Sequence, residues 1–148
     1  MSAFLDFSEL LQSSNLKKTG HRLEILTLLE GTEEPLSADK IHDKLHRKGV
    51  HVPYSTIYRT LETLSSNNII SKLRIEKQQR TLFELNRNQH HHHLICLGCE
   101  KIIAVEGCPI PEAFTEKIQK EQGFEILGHR LEFFGYCPEC QKKLLNVK

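Results

Sequence analysis

Residues 54–85 read YSTIYRTLETLSSNNIISKLRIEKQQRTLFEL. Ile57, Leu61 and Leu64 recur at i, i+4 and i+7, which lays one apolar stripe along an α-helix, and Asn67-Asn68 ends it. Residues 71–75 and 80–85 then alternate polar and apolar around EKQQ, the pattern of a two-stranded hairpin. Working outward, Ser37 is placed to cap a helix on which Ala38, Ile41 and Leu45 recur, with Gly49 as its stop. Before it, residues 22–30 put Leu23, Leu26 and Leu29, or Ile25, Leu28 and Leu29, on one side of a helix closed by Gly31. Residues 7–14 read as a short first helix. Short helices followed by a hairpin predict a winged helix-turn-helix.

The balance of charge bears on what such a unit touches. The chain has 148 residues, 39% hydrophobic and 26% charged, an ordinary globular composition that excludes collagen, coiled coil and bulk disorder. A net charge of +1 argues by itself against bulk electrostatic binding of nucleic acid. Between residues 40 and 80, however, nine Lys or Arg face three Asp or Glu. The excess coincides with the helix and hairpin quoted above. A helix opening at STIYRT turns Ile57 inward and can aim Thr56, Tyr58 and Arg59 at a duplex. No stretch of eighteen apolar residues occurs, and MSAFLDFSELLQ lacks a signal-peptide core, so no membrane partner and a cytoplasmic location are expected.

The last sixty residues carry different chemistry. All five Cys and five of the nine His lie between His90 and Cys140. Cys96-x-x-Cys99 and Cys137-x-x-Cys140 are two turns that can each present two thiolates to one tetrahedral Zn²⁺. A redox dithiol needs only one such pair, and an exported disulfide framework lacks its signal. Cys108 is left over and is expected to be a packed or idle thiol. In the run His90-His91-His92-His93, strand alternation puts His90 and His92 on one face and His91 and His93 on the other, so one strand can serve two metal sites. Strands are expected at 91–95, 101–105 and 124–134, with a helix at 111–122 stopped by Gly123. So short a unit buries little apolar surface, and a metal staple or a dimer is physically expected. We place the boundary at NRNQ, giving residues 1–86 and 87–148 in an α+β chain.

In order, KKTGHR (Lys17 to Arg22), LSADKI, STIYRTL, LFEL, HHHHLIC-x-x-C and GYCPEC resemble the ferric uptake regulator family of metal-sensing repressors, over nearly the whole chain. The resemblance implies a homodimer with an N-terminal winged-helix DNA-binding domain and a C-terminal metal-binding dimerisation domain, acting on a palindromic double-stranded operator. It implies structural zinc on Cys96, Cys99, Cys137 and Cys140, and a sensory site on His90, His92, Glu112 and His129. A second, hinge site falls on Glu84, His91 and His93, where Pro35 replaces a customary His and Ala104 a customary acid, with Glu106 two residues further on. Tyr58 and Arg59 match the family's recognition helix, and Lys17 and Arg22 its N-terminal basic positions.

The expected regulatory ion is Fe²⁺ on family frequency. Zn²⁺ is the alternative favoured by a strand whose metal-facing residues are all His, and Mn²⁺ is also compatible. A peroxide-sensing relative would carry Asp at the position of Glu84 and ranks third. A zinc hydrolase or deaminase is the rival from another class. The deaminase signature requires H-x-E, and no His here has Glu two residues on; a four-cysteine site also leaves zinc no open position.

Overall fold

A computed structural model describes residues 6–75, 78–87 and 91–147. The chain divides into two compact units, residues 1–87 and 88–148.

The first unit contains α1 (Phe7–Ser13), α2 (Gly20–Glu30), β1 (Leu36–Ser37), α3 (Ala38–Arg47), α4 (Tyr54–Ser66), β2 (Ile70–Ile75) and β3 (Arg80–Leu85). Caps set the helix starts: Asp6 accepts from the Ser8 N–H at 2.9 Å, Thr19 from Arg22 N–H at 3.3 Å, and Ser37 from Lys40 N–H at 3.2 Å. Gly49, at φ +79°, ends α3 in the left-handed conformation, its N–H returning to His46 C=O at 2.9 Å. The apolar positions meet in one core of Leu11, Ile25, Leu26, Leu29, Ile41, Leu45, Ile57, Leu61, Leu64 and Phe83, all nearly inaccessible. The helical stripes of the sequence are therefore the buried faces.

β2 and β3 pair antiparallel from Ile70↔Leu85 to Ile75↔Arg80, forming the wing. β1 adds to the other edge of β3 through Leu36↔Phe83. At two residues it is too short to leave a periodic signal. Lys72 Nζ on the wing meets Glu62 Oε1 on α4 at 2.6 Å, so one cation of the basic stretch is already paired.

The second unit has β4 (His91–Cys96), β5 (Ile102–Glu106), α5 (Glu112–Gln122), β6 (Glu132–Gly135) and α6 (Pro138–Leu145). β4 is the central strand, antiparallel to β5 and parallel to β6. One expectation is corrected here, and one element was not anticipated. The strand expected over 124–134 is confined to Glu132–Gly135. Phe124 and Ile126 instead line a groove with Phe114 and Ile118 of α5, and Ile126 N–H donates to the Gln119 side chain at 2.9 Å rather than to a strand. The helix α6 went unread because Cys137-Pro138-Glu139-Cys140 registers as a turn, although Pro138 at the first helical turn is a good helix start.

This unit's core is thin. Among its described residues only Ile95, Cys96, Ile102, Cys140, His92 and His93 are buried. α5 buries none of its own residues, and Phe114, Phe124, Leu127 and Phe134 are 54%, 72%, 91% and 57% exposed.

Candidate metal centres and nucleic-acid interface

The fold brings both C-x-x-C pairs together. Cys96 ends β4, Cys99 closes the following turn, Cys137 caps α6 and Cys140 lies in that helix's first turn. The four Sγ atoms all lie within 4.8 Å of one another, and Cys99 and Cys137 are 3.7 Å apart. Zn–S bonds of about 2.3 Å on a tetrahedron require sulfur–sulfur edges of about 3.8 Å, so the cluster fits zinc in both donor type and size. All five cysteines are free thiols.

The protein prepares these sulfurs unequally. Cys137 N–H donates to Cys96 Sγ at 3.2 Å; that contact, with further backbone donors from Cys99 and Gly98, lowers the Cys96 thiol from 9.0 to about 6 despite its burial. Cys140 is pushed up to about 12, first by hydrogen bonding with Cys137, then by burial and by Cys96 and Cys99. At Cys99 the Lys101 backbone pulls the thiol down, but Cys96, burial and Cys137 together raise it. Four thiols in one small volume cannot all ionise without a cation among them.

Gly98 belongs to this site and sequence reasoning passed over it. A Cβ there would meet the Cys140 Sγ at 2.7 Å, so the middle of the Cys96–Cys99 turn must be bare for the second pair to close on it. The signal was a Gly at the third position of C-x-x-C.

A second donor group is His92, Cys108 and His129, whose ligand atoms lie within 4.8 Å of one another. His92 is buried on β4 and its ring stacks on His129 with centroids 5.3 Å apart. Of the residues expected to form the sensory set, His92 and His129 lie in this group. His90 lies outside the described residues, and Glu112 does not join this group; it is exposed in the first turn of α5, where a carboxylate complements the helix dipole. Cys108, expected to be idle, does join it, with Sγ 3.2 Å from His129 Nε2.

On the other face of β4, His91 and His93 approach with ring centroids 5.1 Å apart, as strand alternation requires. Across the ladder Ala104 pairs with His93 and Glu106 with His91, so Glu106 shares the His91 face. Glu84 and Pro35 belong to the first unit, Glu84 on β3 and Pro35 buried just before β1.

In that unit α4 buries Ile57, Thr60, Leu61 and Leu64. Tyr58, 45% exposed, and Arg59 face out, while Thr56 is half-buried. Tyr54 donates to the Asp39 carboxylate and packs edge-on against Tyr58 at 5.0 Å, which steadies the outward ring. Arg22 Nη1 donates to the Lys17 carbonyl oxygen at 2.6 Å, so two candidate backbone contacts are braced against each other.

A sequence profile of the family described as "Ferric uptake regulator family" matches residues 13–134. A ferric uptake regulation protein of Neisseria meningitidis is 37% identical over 134 residues, spanning 90% of this chain and 92% of that protein. A zinc uptake regulation protein of Mycobacterium tuberculosis is 30% identical over 131 residues, spanning 88% and 99%. The solved structure of a ferric uptake regulator from Francisella tularensis with iron superimposes with a TM-score of 0.72 at 33% identity, covering 85% of this chain and 95% of that one.

Proposed function

Because the chain belongs to the ferric uptake regulator family, we propose that it is a metal-dependent, DNA-binding repressor of metal-uptake genes, working in the cytoplasm as a homodimer on a palindromic operator. The observation that carries this reading is the gathering of sulfur and imidazole donors into ligand-sized groups in a chain whose other unit is a winged helix. Such a chain has a use for metal and a helix with which to read DNA. No helix among the described residues is long and apolar enough to cross a membrane.

Each residue group has a task in this reading. Tyr58, Arg59 and Thr56 on α4 approach base edges, and Lys17 and Arg22 approach phosphate. Cys96, Cys99, Cys137 and Cys140 hold structural zinc, whose binding supplies about 10 to 16 kcal/mol in small zinc modules and compensates for the thin core of the second unit. The exposed phenylalanines of α5 and the loop after it form a contiguous apolar surface of the kind a second copy covers. A regulatory ion held by the histidines favours the dimer arrangement that presents both recognition helices to the duplex, through its higher affinity for that arrangement. Fe²⁺ and Zn²⁺ are the two candidates for that ion, as the names of the relatives reflect.

A gel-shift titration with and without added metal tests the proposal. Binding that needs Fe²⁺ or Zn²⁺ and weakens steeply with salt is expected. Equal binding by metal-free protein would overturn it.

A further inference from the structure

We propose that Cys108 is a direct ligand of the regulatory ion in the second unit, forming with His92 and His129 a thiolate-bis-imidazole site that selects Zn²⁺ over Fe²⁺ and Mn²⁺. The proposal rests on the reading that this unit holds a regulatory metal, and it names the donor that decides which one.

Three structural segments converge to make the group: β4 supplies His92, the loop after β5 supplies Cys108, and the loop before β6 supplies His129. A sulfur and a nitrogen bound to one tetrahedral zinc, at about 2.3 Å and 2.0 Å, lie about 3.5 Å apart. Cys108 Sγ and His129 Nε2 are 3.2 Å apart, within a few tenths of an ångström of that separation. The sulfur is also oriented. Ile110 N–H donates to Cys108 Sγ at 3.4 Å, the same kind of contact that Cys137 N–H makes to Cys96 Sγ at 3.2 Å in the four-cysteine cluster. The Cys108–Pro109–Ile110 turn thus aims the thiol at the imidazole pair, although the thiol can also donate to the Ile110 carbonyl at 3.7 Å.

Donor chemistry then sets the metal. A thiolate with two imidazoles is a soft-to-borderline set that suits zinc, whereas Fe²⁺ and Mn²⁺ favour carboxylate and other oxygen donors. The carboxylate expected here, Glu112, is not in the group. Three protein donors leave a fourth position for water or a further side chain.

The test uses the full chain loaded with one equivalent of zinc, so that the four-cysteine site is filled, and then titrated with Co²⁺. A cysteine bound to Co²⁺ gives sulfur-to-metal charge-transfer absorption in the near ultraviolet. Wild-type protein is expected to develop this band with the second equivalent, and Cys108→Ser to lose it. The same variant should bind the second Zn²⁺ at least about tenfold more weakly, since even outer-shell losses cost about 10- to 100-fold. Its Mn²⁺ affinity should be unchanged. A band absent from wild type or retained in Cys108→Ser, or a Zn²⁺ affinity within twofold of wild type, overturns the assignment. Because Cys108 is exposed, the zinc-loaded variant should melt with wild type, and its metal-dependent gel shift is read separately. If that shift persists while the Co²⁺ band does not depend on Cys108, the repressor reading stands and only this ligand falls.

Discussion

The sulfur of Cys140 occupies the space into which a side chain on Gly98 would grow: the Cβ would lie 2.7 Å from Sγ and 3.0 Å from the Cys140 Cβ. Gly98→Ala therefore forces apart the two halves of the thiol cluster. Overpacking of this kind costs about 1 to 3 kcal/mol. We expect zinc to be lost at chelator concentrations that leave wild type loaded, measured as zinc content after dialysis. Full retention of zinc and an unchanged Tm would show that the turn can give way.

Cys96→Ser removes the thiolate that ends β4. With so little apolar burial in the second unit, we expect its cooperative melting transition to disappear together with the zinc, while the far larger core around Ile57 and Leu61 still melts as a unit. Calorimetry of the variant resolves the two transitions. A stable zinc-free second unit would refute a structural role for the ion.

Proton linkage follows from the unequal thiols. Cys96, depressed from 9.0 to about 6, contributes stability to the metal-free protein that is present above pH 9 and is lost as pH falls through about 6. Cys140, raised from 9.0 to about 12, contributes stability that is present below pH 9 and is lost as pH rises toward 12. Zinc must displace the proton of Cys140 but meets Cys96 already ionised at pH 7. Zinc affinity should therefore rise with pH, with fewer than four protons released per ion at pH 7. Titration calorimetry in buffers of different ionisation enthalpy counts them.

On α4 adjacent residues separate folding from recognition. Ile57→Ala should cost about 2 to 5 kcal/mol of stability because the side chain is fully buried. Arg59→Ala should leave the Tm near wild type and weaken operator binding by about 1 to 3 kcal/mol. Lys17→Ala should weaken binding to all sequences alike and lower the salt slope by about 1. Gel shifts on operator and scrambled duplexes distinguish the two contributions.

Leu127 is 91% exposed beside the α5 groove. Leu127→Asp should shift the protein from dimer toward monomer in sedimentation equilibrium while the zinc content holds. An undisturbed dimer would move the interface elsewhere.

Much of this was legible from residues alone because helical periodicity reports directly on burial in a unit with one well-filled core. Ile57, Leu61 and Leu64 are all fully inaccessible, and Ser37 caps α3 through its hydroxyl. The four cysteines were legible for a different reason, that a metal cluster needs fixed ligand spacing. What was hidden depends on long-range closure. Cys108 is sixteen residues from His92 and twenty-one from His129, and no local pattern links them. The stretch from Phe124 to Ile126 alternates like a strand, yet its apolar side chains serve a groove with α5. Apolar alternation marks a strand only where a neighbour is free to pair with it.

The six residues of β4 carry donors on both faces and at one end: His92 on one side, His91 and His93 on the other, and Cys96 at the terminus. A slip of one position in its pairing would exchange the two imidazole faces and draw the sulfur out of the cluster at the same time. Zinc held among the thiols, as in the proposed repressor, would thus act as a registration pin for the sheet. In the proposed repressor this sets an order of assembly: the ion among the thiols is in place first, and the imidazoles form a sensory group afterwards. On that reading, zinc starvation severe enough to empty the pin would disable the proposed sensory site along with it.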